Sequence, residues 1–242
     1  MPRALNSDVV HAATTDHRIL RRGGPRPSLL SSERTKPSQW STVNFHRELM
    51  DQQERALAQR DIGVILCRDS PGDAANALPL LEQALKMQPD DLPAQEAKGF
   101  ALGRLGRLRE SLTAFQVVLA REPDRESALT AAAQIAAQGG QRADAIAYWQ
   151  RAIAISPWRS DYQAELALLY FRARDWPAAA ETSRNALRLN PADLETRKLL
   201  VRCYIRLGDA DAARGEFMTL LAFDPADRTE LLDQFAPLAQ PR

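Results

Sequence analysis

Imidazoles and thiols supply most protein bases, nucleophiles and metal ligands, and in this chain of 242 residues they are few. The three histidines, His11, His17 and His46, all precede residue 58. The two cysteines, Cys67 and Cys203, stand 136 residues apart, without the close spacing of a zinc knuckle or a disulfide framework. A nucleophilic thiol or hydroxyl needs a base beside it. No histidine falls within 58–227, so neither a Cys–His nor a Ser–His–Asp arrangement can be built there. Neither G-x-x-x-x-G-K-[ST] nor G-x-G-x-x-G occurs, so the two common backbone cradles for phosphate are missing. Cys67 and Cys203 lie in helical patterns and read as small buried hydrophobes. The chain is expected to be non-catalytic and to hold no metal.

Charge narrows the partners. Lys+Arg 32 against Asp+Glu 31 leaves a net charge of +1, which offers no whole-chain attraction for nucleic acid or an anionic membrane. No apolar run approaches the roughly 18 residues of a membrane span. The first 30 residues lack the apolar block of a secretory signal, so the chain as given is expected to remain cytoplasmic. An apolar content of 45% is ample for a core.

The elements that position the remaining side chains show in the prolines. Pro89, Pro123, Pro157, Pro191 and Pro225 follow one another at intervals of 34 residues. Gly72, Gly106, Gly140 and Gly208 keep the same interval, with Arg174 where the missing glycine belongs. A fixed period of this length marks a repeat architecture. Within 92–125, LPAQEAKGFALGRL reads as one helix, and Gly106 follows where a left-handed C-terminal residue is needed. Leu108, Leu112, Phe115 and Leu119 then recur at helical spacing until Pro123 stops the second helix. Asp124, Ser127 and Asp193 are placed to cap the helices that follow.

These features resemble the tetratricopeptide repeat family, with repeats at 58–91, 92–125, 126–159, 160–193 and 194–227. In that family position 8 is small, and here it is Ile65, Gly99, Ala133, Ala167 and Val201. Position 20 is small in all five repeats: Ala77, Ser111, Ala145, Ala179 and Ala213. Position 24, the bulky one, is Leu81, Phe115, Trp149, Ser183 and Phe217. The resemblance implies an all-α, right-handed superhelical solenoid of about five helix-turn-helix repeats. Residues 41–57 read as a leading helix and 228–236 as a helix capping the last repeat, within a C-terminal segment 228–242. Residues 1–40, with Gly23-Gly24, Pro25, Pro27 and Pro37, read as a flexible basic arm whose apolar residues are too scattered to form a core.

The resemblance also implies a use. The inner helices of such an array line a concave groove for a protein or peptide. Its groove positions here carry Phe100, Arg104, Gln134, Gln138, Leu168, Phe171, Arg172, Lys198, Arg202 and Arg206, together with Glu96, Thr130, Asp161 and Glu195. Four arginines and a lysine favour an acidic partner segment, with Phe100, Leu168 and Phe171 as apolar anchors. The Asn members of the family's chaperone-tail clamp are missing.

The amino-terminal run D-V-V-H-A-A-T-T-D-H-R-I, residues 8–19, resembles the segment after the C-x-x-C-H-M-P motif in multihaem c-type cytochromes that end in tetratricopeptide repeats. That resemblance implies that this chain is the C-terminal portion of a longer, periplasmic protein, either a scaffold appended to a multihaem cytochrome or, as the alternative, an electron-transfer subunit in which His11 and His17 are the candidate axial haem ligands. No C-x-x-C-H occurs here, so no cofactor is expected on this chain alone, and haem c would belong to a longer form.

Overall fold

The computed structural model describes residues 51–69 and 71–239. Among them are twelve α-helices and no strand. In chain order these are α1 Gln52–Asp69, α2 Ala74–Met87, α3 Leu92–Arg104, α4 Leu108–Arg121, α5 Glu126–Gln138, α6 Arg142–Ile155, α7 Ser160–Arg172, α8 Trp176–Leu189, α9 Leu194–Leu207, α10 Ala210–Ala222, α11 Arg228–Gln234 and α12 Ala236–Ala239. From α1 to α10 each helix lies against its neighbours in sequence. First helices of successive repeats also touch, as α1 with α3, α3 with α5 and α7 with α9. This is the helix-pair solenoid expected from the period.

The punctuation works as its chemistry requires. Pro89, Pro123, Pro157 and Pro191 each stand two residues beyond a helix end, and Pro225 stands three beyond α10. At the turns inside repeats, Gly106, Gly140 and Gly208 adopt left-handed φ of 74°, 75° and 76°. Arg174 adopts 63° in the fourth repeat, a conformation unfavourable for a residue with a Cβ. In all four turns the next amide closes back onto the helix, from Arg107 N to Leu102 O at 2.9 Å through to Asp209 N to Tyr204 O at 3.0 Å. Gly72 differs: it lies in a short 3₁₀ turn, Pro71–Asp73, without positive φ.

Helix pairs close on the small positions. Gly99 lies so near Phe115 that a Cβ there would stand 2.8 Å from the ring. Ser111 Oγ donates to the Gly99 carbonyl at 2.7 Å, tying α4 to α3 at their crossing. Phe115, Trp149 and Phe217 are buried at the bulky position, as are all five position-20 residues. Ser183 is fully buried too, but its hydroxyl has no partner.

Two expectations change. Ile65 is 51% exposed and does not enter the helix crossing. Gly63 makes the close approach instead, 2.9 Å from the Leu81 side chain to a built Cβ, because α1 presents a face two residues earlier. Asp124 and Ser127 do not cap α5; Arg125 occupies the N-cap, and its side chain turns to two glutamates. Asp193 does cap α9, and Asp91, Asp175 and Asp209 cap α3, α8 and α10 in the same way.

Of the leading helix expected over 41–57, residues 41–50 fall outside the described residues. The rest belongs to α1, which begins after a reciprocal pair between Asp51 and Glu54, both contacts at 2.8 Å, and runs unbroken into the first repeat. The arm 1–40 also lies outside the described residues. At the other end, Leu231, Phe235 and Leu238 of the α11–α12 region bury against Phe217 and Leu220, so the last repeat does not leave its apolar face open.

Candidate binding groove

The charged residues of the first helices divide into those that join repeats and those left to solvent. Glu96, near the start of α3, is held by Arg125 at 2.6 Å and by Ser127 Oγ at 2.5 Å, so the second repeat is laced to the third. Arg125 also holds Glu122 at 2.7 Å, and its hydrogen bonds to the two carboxylates raise its already high pKa. Lys198 occupies the equivalent place on α9 and is held by Asp227 at 2.6 Å and by Glu195 at 2.8 Å. Asp227 follows Lys198 by 29 residues, as Arg125 follows Glu96, and the charges are reversed. The Asp227 hydrogen bond, followed by that of Glu195, raises the Lys198 pKa, and the Lys198 hydrogen bond lowers that of Asp227.

Between the third and fourth repeats Glu126 does the joining. It accepts from Tyr162 Oη at 2.5 Å and from Ser156 Oγ at 2.8 Å, which together hold its carboxyl below the usual range. Burial, and then this hydrogen bond, pushes the Tyr162 phenol up to about 12. Arg159 pairs with Asp161 at 2.7 Å and lies over the Tyr162 ring at 4.5 Å.

Each acid expected in the groove is therefore engaged: Glu96 by Arg125, Asp161 by Arg159 and Glu195 by Lys198. None of them pairs with a groove arginine. Arg172 at the end of α7 and Arg202 on α9 are exposed, with no acidic partner among the described residues. Arg206 is exposed and stands 5.9 Å from the centre of the Trp176 ring, which meets Phe171 edge-on at 4.9 Å. Leu168, half-buried, lies beside the same core cluster as Phe171.

The other expected groove residues take different roles. Arg104 donates to the backbone carbonyl of Cys67, so its guanidinium joins α3 to α1. Lys198, by its two carboxylates, is a joining residue and is corrected from a groove cation. Gln134 and Gln138 are exposed on α5, while Thr130 turns its hydroxyl to the Ser127 carbonyl. Phe100 is 37% exposed and meets Phe115 edge-on at 5.1 Å. His11 and His17 lie outside the described residues. Sequence reasoning passed over Trp176 and Arg125; the shared 29-residue offset of Glu96/Arg125 and Lys198/Asp227 was the signal for the second.

Both thiols are buried, and burial raises both pKa values, that of Cys203 up to about 11. Among the described residues, no group of three or more His, Cys, Asp or Glu side chains could hold a metal, and no helix is long and apolar enough to cross a membrane.

A helix-pair array with this groove defines a class, and the comparisons name it. The family model described as "Psidin, N-terminal TPR repeats region" matches residues 70–193, and a tetratricopeptide repeat model matches 170–232. The chain belongs to the tetratricopeptide repeat family. Among curated proteins it is similar to "Cellulose synthase operon protein C" of Xanthomonas axonopodis pv. citri (strain 306), 34% identical over 180 residues, covering 70% of this chain and 12% of that protein. It is also similar to "Phagocyte signaling-impaired protein" of Drosophila pseudoobscura pseudoobscura, 28% identical over 138 residues, 57% of this chain and 14% of that one. The chain thus spans only 12% to 14% of the length of these relatives.

Among solved structures, a crystal structure of MamA protein superposes with a TM-score of 0.64 at 18% identity, covering 78% of this chain and 98% of that one. MamA from Desulfovibrio magneticus RS-1 does so with 0.64 at 21% identity, covering 72% and 97%. At these identities the likeness is one of fold. The comparisons support the tetratricopeptide part of the sequence resemblance and lend no support to the multihaem part.

Proposed function

We infer that this chain is a protein-interaction scaffold whose concave face takes an extended acidic segment of a partner protein. One observation carries the reading: the inward acids are all engaged by other cations, so Arg172, Arg202 and Arg206 keep their charge for a ligand. Guanidinium groups pair with carboxylates in bidentate fashion, and the half-buried Phe171 and Leu168 beside them offer apolar contact. Such a scaffold acts by binding, without a reaction of its own.

The test is binding of acidic and basic peptide libraries to the wild type and to the Arg172→Glu, Arg206→Glu double variant. Acidic peptides should bind the wild type more tightly at low than at moderate salt. The double variant should lose at least about tenfold, as expected when charge-assisted contacts become repulsive. Equal affinity for both proteins overturns the reading. Attachment of these repeats to a multihaem cytochrome, with His11 and His17 as haem ligands, rests on residues 8–19 alone. It is tested by looking for C-x-x-C-H codons in frame upstream of Met1.

A further inference from the structure

The opposite end of the first-helix row has a different character. Between α1 and α3 lies a groove of about 420 Å³. Val64, Ala97 and Phe100 line its apolar floor, and Arg104 and Arg125 stand at its rim. Its acidic lining residue, Glu96, is engaged by Arg125. The Phe100 ring is fixed from behind by its edge-on contact with Phe115, so the floor is firm rather than collapsible. The rim charges are already taken up, Arg125 by Glu96 and Glu122 and Arg104 by the Cys67 carbonyl, so the site complements a large apolar side chain and not a wholly polar segment.

We propose that the partner segment is bipartite, with an apolar anchor in the Val64–Ala97–Phe100 pocket and an acidic run on Arg172, Arg202 and Arg206. This rests on the acidic-segment reading above and adds the anchor, its place and the spacing. Adjacent first helices pack at roughly 8–10 Å, so three repeats separate the two subsites by roughly 30 Å. An extended chain covers that with about nine or ten residues. The middle of the row, with exposed Gln134 and Gln138, provides polar contacts for a spacer and demands no particular charge. Burial of one large apolar side chain in the pocket accounts for roughly tenfold to a hundredfold in affinity.

The experiment uses the whole chain and fluorescein-labelled peptides carrying a Phe-Leu pair, a Gly/Ser spacer of about ten residues and a run of glutamates, in both orders. Changing Phe-Leu to Ser-Ser should weaken binding by at least about tenfold, and shortening the spacer by half should weaken it similarly. Phe100→Ala should weaken the anchored peptide and leave the Ser-Ser peptide unchanged. The peptide-side changes need no protein variant, so an unstable Phe100→Ala leaves the test intact. If the anchored and Ser-Ser peptides bind alike while Arg202→Glu with Arg206→Glu still weakens both, the anchor pocket is wrong and the acidic groove stands. If charge reversal also has no effect, both fail together.

Discussion

The second and fourth repeats are built on the same spacing and differ where it matters. In the second, Gly99 admits the Phe115 ring, Ser111 ties the crossing, and Gly106 takes the left-handed turn without strain. In the fourth, Ser183 stands where Phe115 does, with a buried and unpartnered hydroxyl, and Arg174 is forced into left-handed φ. Yet the fourth repeat carries Phe171, Arg172 and Trp176 immediately around that strained turn, and with them one of the three exposed arginines that have no acidic partner among the described residues. The packing rules are kept at the second repeat's crossing and turn and relaxed at the fourth's, where Ser183 leaves a hydroxyl unpartnered and Arg174 takes a left-handed φ.

Substitutions at matching positions put this contrast to work. Phe115→Ala should lower the unfolding free energy by about 3–5 kcal/mol, from lost burial and a cavity. Gly99→Val should lower it by about 1–3 kcal/mol through overpacking against that ring. Ser183→Ala in the fourth repeat should instead raise stability by about 1 kcal/mol, because an unpartnered buried hydroxyl is removed. Urea denaturation of the three variants decides; a loss for Ser183→Ala comparable with that for Phe115→Ala would erase the difference between the repeats. Arg174→Gly should raise stability by about 0.5–1 kcal/mol, the relief of left-handed strain less the extra freedom of glycine in the unfolded chain. Ala at Gly106 should do the opposite, and thermal melts of the pair measure both.

The smallest effect concerns the reversed strut. The Asp227 pKa is lowered in the folded state by Lys198, so its contribution is present above the ordinary carboxylate value and disappears as pH falls through the lower folded one. Between neutral pH and about pH 3, the Asp227→Asn variant should therefore show a shallower loss of melting temperature than the wild type. Parallel pH profiles would mean that the Lys198–Asp227 contact adds nothing in solution.

Much of this was legible in the chain. Proline and glycine act through their own backbone chemistry, so five prolines and the glycine series with its Arg174 gap marked the ends of α1 to α10 within a few residues. Small residues at position 20 were legible for the same local reason, since only a small side chain fits between crossing helices. Ile65 was misplaced because the rotation of α1 is set by the helices it meets, not by its interval from the next repeat. Arg104 and Lys198 were misread because a cation on an inner face can turn outward to a ligand or sideways to a carbonyl or carboxylate. That choice depends on a partner 29 to 37 residues away.

The amino-acid sequence by itself determined the period, the helix ends and the family, because these follow from local backbone limits and the volumes of side chains at fixed intervals. Only the tertiary structure decided which charges remain without an opposite charge beside them. Engagement of Glu96, Asp161 and Glu195 by Arg125, Arg159 and Lys198 is a matter of a few ångströms between side chains, and a spacing along the chain can suggest such a contact but does not decide that it forms.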